Sequence, residues 1–513
     1  MEQSPIIQKH HKHILFTISM FCLIGLAIII NYITVSSQSI RLDESQSLWA
    51  ATKSIPALLT WTSQDVHVPL YNLMLHFWIQ IFGTNIAVVR RLSFMFFLLT
   101  LPVLYKAFRQ VSNYRVSLLA VTIFALSPFI LWYSDEARMY TLFAFATGLN
   151  HLYFIKFYNS NGEKWKFGYF LSTMLGLFSH YFFFFLLVTQ FIYMLGIIYF
   201  TKPRQLPLLQ KIQIRKGLII RYVQIMLLCA VLFLPWVMFV LSSGAAANTQ
   251  PLIPAPTTYN IFQAFINFLL GFPSTQVQTL VISLWPLIVL LFFFIFTRRR
   301  SMHIKNSGYF LLTAFLPIVI VFAISFIRPI FLSRYLIFVT PSLFFVCAWM
   351  LLSYSKRISS VLVTAFLVMM VSLLLYQNIS NSTPVKEDYV GVSDYLDQNA
   401  TESDVIAISA PFTIYPIAYS YTGQAGIVTI PQWDLYNSGP IPPFSLSSFQ
   451  QNLATYTTEY NRIYVVLSYD QGYESKIKNY MDTHYKRVIQ KTFSPGLEVD
   501  AYQLRYDAVL TEK

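Results

Sequence analysis

Between Ile14 and Tyr376 the sequence returns again and again to uncharged apolar runs of about 20 residues, the length that carries a helix across a hydrocarbon layer. A chain that repeats this pattern has few options other than a bundle of membrane helices, because every backbone polar group in lipid must be satisfied within its own segment. Candidate spans lie at 14–35, 89–108, 116–134, 137–155, 222–242, 276–297, 308–327, 335–353 and 359–376. Phe167–Phe200 carries no formal charge over 34 residues, too many for one crossing. Lys164 and Lys166 precede it and Lys202 and Arg204 follow it, so both ends face one side. Two short helices turning near Ser179-His180 meet that requirement. The nine spans and this pair make eleven.

Charge supplies the orientation. Only 11% of the 513 residues are charged and 56% are hydrophobic, whereas a soluble domain carries about 25% charged residues. Residues 1–383 hold 27 Lys+Arg against 7 Asp+Glu, and residues 384–513 hold 9 against 15. The overall +14 therefore arises in loops between apolar segments and is no nucleic-acid footprint. With the N-terminus in the cytoplasm, 20 basic residues fall on the inner side of the membrane part and 7 on the outer side (Arg41, Lys53, Arg90, Arg91, Arg138, Arg328, Arg334). An odd number of spans then puts the C-terminal domain outside. The first apolar segment has no small-residue cleavage site after it and reads as a retained helix. Cys22, Cys229 and Cys347 stand in apolar runs and read as buried hydrophobes.

Residues 1–376 are thus expected to form the membrane domain and 384–513 an extracytoplasmic one. The outer loop 36–88 contains Pro69–Phe82, apolar but short, which reads as a helix lying in the interface; as a span it would invert every later loop. In the tail, Val385–Asn399 and Gly472–His484 read as helices, and Asp404–Ser409, Gly426–Ile430 and Arg462–Ser468 as strands, a small α/β domain. It shows no Gly-rich phosphate loop and no metal-ligand spacing. Asn378, Asn381 and Asn399 match the short glycosylation pattern, which often arises by chance.

The acids are the functional clue. Five of the seven before Pro384 (Asp43, Glu44, Asp65, Asp135, Glu136) fall on the outer face of a topology drawn from basic residues alone. Single acids there would read as solvated loop residues or partners of Arg41 and Arg138, but two adjacent pairs at a membrane margin point to chemistry. Such chemistry needs a base for an acceptor hydroxyl and cations for a departing phosphate. Arg138 follows the second acidic pair, and Arg328 and Arg334 bracket one short outer turn. Guanidinium forks match phosphate, while a snorkelling anchor is the alternative for Arg328. His67 and His180 lie on the same face as candidate phosphate or acceptor contacts.

At these residues the sequence resembles the GT-C superfamily of polytopic glycosyltransferases, in particular the bacterial family 39 group related to protein O-mannosyltransferases and lipid A aminoarabinose transferases. The resemblance rests on RLDESQSLW (41–49), HVPLYNLMLHFWIQIFG (67–83), LSPFILWYSDEARMYTL (126–142), SHYFFFFLLVTQ (179–190) and RPIFLSRYLIFVTP (328–341), in order over 1–376. It implies a GT-C-type fold and inverting transfer from a polyprenyl-phosphate sugar to an extracytoplasmic glycan, lipid or protein. It makes Asp43 the base, with Glu44 in support and Asp135 and Glu136 shaping the site. Arg334, Arg138, Arg328 and His67 would hold the donor phosphate, and His180, Tyr181 and Tyr71 would contact substrate. Where relatives read Gln-Glu-Ala-Arg this chain reads Asp135-Glu136, which leaves Asp135 without a family counterpart. His67-Val68-Pro69 likewise departs from the usual His-Pro-Pro or Lys-Pro.

A single displacement with phosphate as leaving group requires no metal, although a divalent cation (Mg or Mn) bridging carboxylates and phosphate is compatible with it. The rival classes are a transporter or flippase of lipid-linked sugars and a non-catalytic scaffold. Transport usually places ionisable groups at the midplane on repeated, broken helices, and here the acids lie at one edge. The topology is checked by labelling intact cells with a membrane-impermeant thiol reagent. A cysteine at Asp43 is expected to react from outside and one at Glu163 only after permeabilisation; the reverse pattern overturns the orientation.

Overall fold

The computed structural model describes residues 5–35, 38–65, 67–200, 208–243, 254–284, 307–380, 386–434 and 441–505. Helices follow in the order α1 Pro5–Val35, α2 Leu42–Ala51, α3 Ile55–Ser63, α4 Leu70–Phe82, α5 Ile86–Phe108, α6 Tyr114–Leu126, α7 Pro128–Ser134 and α8 Tyr140–Asn159. Next come α9 Lys166–Ser179, α10 Phe183–Phe200, α11 Leu208–Ser242, α12 Thr258–Leu270, α13 Thr275–Ser283, α14 Ser307–Ser325, α15 Thr340–Leu351 and α16 Lys356–Ile379. The chain divides into two compact units, Met1–Val35 with Ser54–Ser380 and Ser36–Lys53 with Asn381–Lys513. The sequence places 36–53 in a loop of the membrane domain; here that stretch, with α2, belongs to the second unit.

In the first unit, helices stand at the expected spans. Among the described residues five are long and apolar enough to cross a membrane unaided, or six with the bent pair. The segment 276–297 is described only to Leu284, and Lys202, Arg204, Arg298–Arg300 and Lys305 also lie outside the described residues. The span expected at 116–134 is broken. Pro128 disfavours helical torsions at the residue before it, and Ser127 is extended (φ −64°, ψ 121°). The axis turns by 59° between α6 and α7. Ser127 then caps the new helix by accepting the Ile130 N–H. The expected pair within 167–200 is present as α9 and α10, and Gly176 makes the tight return feasible, since a Cβ there would collide with the Phe183 ring. At 13 residues α4 spans only about 20 Å, too short to cross.

A buried polar network joins five helices of this bundle. Gln190 (α10) donates to Asn150 (α8) at 2.7 Å and to the Tyr309 hydroxyl (α14) at 2.9 Å, and accepts from Tyr169 (α9) at 2.6 Å. His151 (α8) meets Tyr309 at 2.7 Å and Ser342 (α15) at 3.3 Å. Interhelical hydrogen bonds in membranes average only about 0.6 kcal/mol each, so such a network fixes helix register more than it adds stability.

The second unit contains α2, α17 (Tyr389–Asn399), β1 (Asp404–Ser409), α18 (Ile414–Ser420), β2 (Gly426–Ile430), α19 (Leu446–Glu459), β3 (Arg462–Ser468), α20 (Glu474–His484), β4 (Lys486–Ser494) and β5 (Leu497–Gln503). The sheet order is β2-β1-β3-β5-β4, with β2, β1 and β3 parallel and β5 and β4 antiparallel. All six residues of β1 are buried, as expected for a parallel strand covered on both faces. Ile406 and Ile408 pack with α17 and α18, and Val405 and Ala407 with α19 and α20. The edge strand β4 carries Lys486, Arg487 and Lys491, charges that discourage further strand pairing. Ser39 donates to Asp388 at 3.0 Å and Trp49 packs edge-on against Tyr415 (ring centroids 5.3 Å apart), which ties α2 to this unit.

At the start of β1, Asp404 accepts from Arg462 at 2.8 and 3.0 Å. Burial raises this carboxyl, but hydrogen bonds from Arg462 and Thr401 together outweigh burial and hold it below its ordinary value of 3.8. A carboxyl depressed by folding stabilises the fold above its unfolded pKa and loses that contribution as pH falls through the folded value. Asp404→Asn is expected to speed hydrogen exchange of the β1 and β3 amides roughly 10- to 100-fold at neutral pH, from about 1.5–3 kcal/mol for charged hydrogen bonds. Unchanged exchange would contradict this.

Candidate functional site

The break after Ser127 delivers a five-residue turn, Asp135–Met139, between α7 and α8. The Arg138 N–H donates to the Glu136 carbonyl at 2.7 Å, which tightens the turn. Both acids are buried. Asp135 accepts from Asn31 of α1 and from Ser134 at 3.5 Å, so its carboxylate anchors the turn to the first helix. Arg138 is only 4% exposed and its guanidinium contacts His67, just before α4. The Tyr71 hydroxyl stands 2.7 Å from Ser93, whose own hydroxyl donates to the Arg138 carbonyl at 3.0 Å. Ser93 spends its one proton on that carbonyl, so Tyr71 is the donor in the first bond. Tyr71 thus bears on Arg138 through its backbone.

Three further elements bring groups to the same place. His180 forms the return between α9 and α10, its ring stacked on Phe143 of α8 (4.8 Å, 7°) and set against Tyr335 (5.3 Å). Its Nδ1 accepts the Phe182 N–H at 3.1 Å, which puts the ring proton on Nε2. Nε2 is buried with no hydrogen-bond partner among the described residues. His67, Arg138 and Arg334 all act electrostatically on this imidazole, so four cationic or proton-bearing groups share one neighbourhood. Arg334 sits in the 3-10 turn Ser333–Val339, over the Tyr335 ring at 5.6 Å. Tyr181 is half-buried, accepts the Trp236 N–H at 3.0 Å and feels the Asp65 charge. Asp65 lies 3.7 Å from His67.

Arg328 is not part of this group. It is exposed, and its side chain makes no hydrogen bond or ion pair with any described residue. It follows the exposed Phe326 and Ile327 at the tip of the turn, which leaves it facing out. Asp43 and Glu44 stand in the second unit, on the first turn of α2. Glu44 is fully buried and accepts the Arg41 N–H at 3.0 Å, which closes that turn and fixes the direction of half-buried Asp43. Sequence reading counted Asp65 among the outer acids without giving it a role, and left out Asn31 and Phe143 as site partners. Only the Asp65-x-His67 spacing offered a signal, since the other two stand on apolar helices. Among the described residues no three His, Cys, Asp or Glu side chains converge as a metal-ligand set.

Neither a protein-family model nor a curated sequence matches the chain. Solved structures do match its fold. The apo structure of ArnT from Cupriavidus metallidurans superposes with a TM-score of 0.56 at 11% identity, over 94% of this chain and 97% of that one. The same protein bound to undecaprenyl phosphate gives 0.56 at 10% identity over the same shares. An Archaeoglobus fulgidus oligosaccharyltransferase gives 0.50 at 15% identity, over 88% of this chain and 67% of that one. The chain is a polytopic membrane protein with the GT-C fold.

Proposed function

We propose that the chain is a membrane glycosyltransferase that moves a sugar from a polyprenyl-phosphate donor to an extracytoplasmic acceptor, with inversion at the anomeric carbon. The observation that carries the reading is the convergence of His67, Arg138, His180 and Arg334, with a protonated, unpartnered Nε2 among them. A cluster of that kind is built for an anion of compact charge. The fold it shares with a protein solved with undecaprenyl phosphate supports lipid phosphate as that anion. The N-terminus lies in the cytoplasm and the sheet domain outside, as the basic loops require.

The reaction is one displacement. The acceptor oxygen attacks the anomeric carbon while the bond from that carbon to the phosphate oxygen breaks. Arg138 and Arg334 take up the charge that develops on the leaving phosphate, and the His180 Nε2–H donates to it. Asp43 removes the acceptor proton and later passes it to solvent. Glu44 acts by holding the first turn of α2, and Tyr71 by holding Arg138; both are positioning residues. Glu136 shapes the turn beside Arg138. Asp135, engaged with Asn31, serves the turn structurally. With no covalent sugar–enzyme step, inversion follows. The bacterial family 39 is the group we assign it to.

A radiolabelled panel of polyprenyl-phosphate sugars, offered with envelope extract to wild type and Asp43→Asn, tests the reading. General-base loss is expected to lower transfer about 10²–10⁴-fold while donor affinity holds. Equal transfer by both proteins removes Asp43 from the chemistry. Donor crossing proteoliposomes without any sugar transfer would indicate a flippase.

A further inference from the structure

The sheet of the second unit has an edge that its packing does not consume. From β1 the chain passes through α18 on one face to β2, then returns through α19 on the other face to β3. The connections leave β1 and β3 toward opposite sides, which makes the carboxyl ends of these neighbouring strands a topological switch point, where open α/β sheets hold their ligands. The residue after each strand is strained. Ala410 has φ +58° and Tyr469 has φ +53°, two of the four non-glycine residues with positive φ in the described chain. Strain of this kind persists only where the surroundings enforce it, and it gathers at functional sites.

The side chains at this edge are those of a binding surface. Tyr469 is partly exposed, at 42% of its surface. Its hydroxyl donates to Glu387, and its ring meets Phe412 edge-on at 6.0 Å. At the preceding residue, Ser468 stands 2.9 Å from the buried Tyr389 hydroxyl. Asp470 and Gln471 extend an exposed polar rim. Helix α2 packs within this unit against α18, the helix that follows β1, through Trp49 on Tyr415, and the Asp43 carboxylate acts electrostatically on the Tyr469 phenol. This edge thus carries an aromatic ring, carboxylates and the Gln471 amide, with Asp43 in the same unit. That set fits a carbohydrate: its C–H face lies on a ring while its hydroxyls meet carboxylate and amide oxygens.

We propose that the carboxyl edge between β1 and β3 is the acceptor subsite, that its occupant is a carbohydrate, and that Tyr469 determines which acceptor presents its hydroxyl to Asp43. This rests on the glycosyltransferase reading and adds to it the acceptor class and the work of the sheet domain. Tyr469 binds the acceptor without exchanging a proton in the reaction, so its removal acts on acceptor affinity and leaves the departure of phosphate alone.

The test uses the full-length protein in nanodiscs. The donors are the polyprenyl-phosphate sugars, and the acceptors octyl glucoside, octyl galactoside and octyl mannoside. Tyr469→Gly is the informative variant, because glycine adopts φ +53° without strain and keeps the backbone while deleting the ring. It is expected to raise the KM for the glycoside roughly tenfold while kcat at saturating glycoside holds. Tyr469→Phe, which keeps the ring, is expected to fall between. An unchanged glycoside KM in Tyr469→Gly overturns the subsite while transfer itself stands. Transfer by wild type to a peptide or phospholipid but to no glycoside overturns the acceptor class. Wild type that neither transfers nor hydrolyses any donor overturns the glycosyltransferase reading, and this inference with it.

Discussion

A guanidinium held in the interior of a membrane protein must be fixed by its neighbours, because a charge in a poorly solvated place is expensive unless every contact around it is set. Arg138 is held in this way. Its carbonyl is taken by Ser93, Ser93 is taken by Tyr71, its N–H closes on Glu136, and its guanidinium meets His67. These contacts join the turn after α7 to α5 and to the entry of α4. Around that fixed charge the chain places Arg334 and His180 from two other parts of the sequence. The result is a set of cationic and proton-donating groups held in place around one buried turn, the arrangement on which the proposed phosphate site rests.

Local backbone devices bring these groups together. Pro128 ends one helix early and restarts another at 59°, which places the acidic turn where a continuous span would have carried it through the bundle. Gly176 lets α10 fold back closely on α9, and the return presents His180 with its Nδ1 already used by the backbone. The network around Gln190 and Tyr309 holds α8, α9, α10 and α14 in one register, so Phe143 arrives as the platform under His180. A shift in any of these helices would be felt at the imidazole.

Much of this was legible in the sequence. Hydrophobic run length marked the helices, and the absence of charge over Phe167–Phe200 marked a hairpin of helices. The first three strands of the tail stood out because buried parallel strands are continuous apolar runs. The hairpin β4–β5 was missed, since Lys486–Ser494 is largely exposed and its polar residues hide the alternation. Helix α19 was missed for the same reason, with a surface rich in Ser, Thr and Gln. The association of 36–53 with the tail was invisible, because it depends on contacts such as Ser39 with Asp388 across 349 residues. Charge and topology nominated Arg138, Arg334 and Arg328 alike; the structure brings the first two to one neighbourhood and leaves Arg328 exposed, which no local pattern reveals. Burial of Asp135 against Asn31 required the fold of α1.

The most direct measurement is equilibrium binding of undecaprenyl phosphate to the full-length protein in nanodiscs, comparing wild type with Arg138→Gln and His180→Phe. Phenylalanine keeps the stack on Phe143 and removes the Nε2–H, together with the Nδ1 that accepts the Phe182 N–H. If the buried group holds the lipid phosphate, each substitution weakens binding about tenfold or more, the value of one charge-assisted hydrogen bond. Affinity unchanged in both variants, with each protein folded, would contradict it.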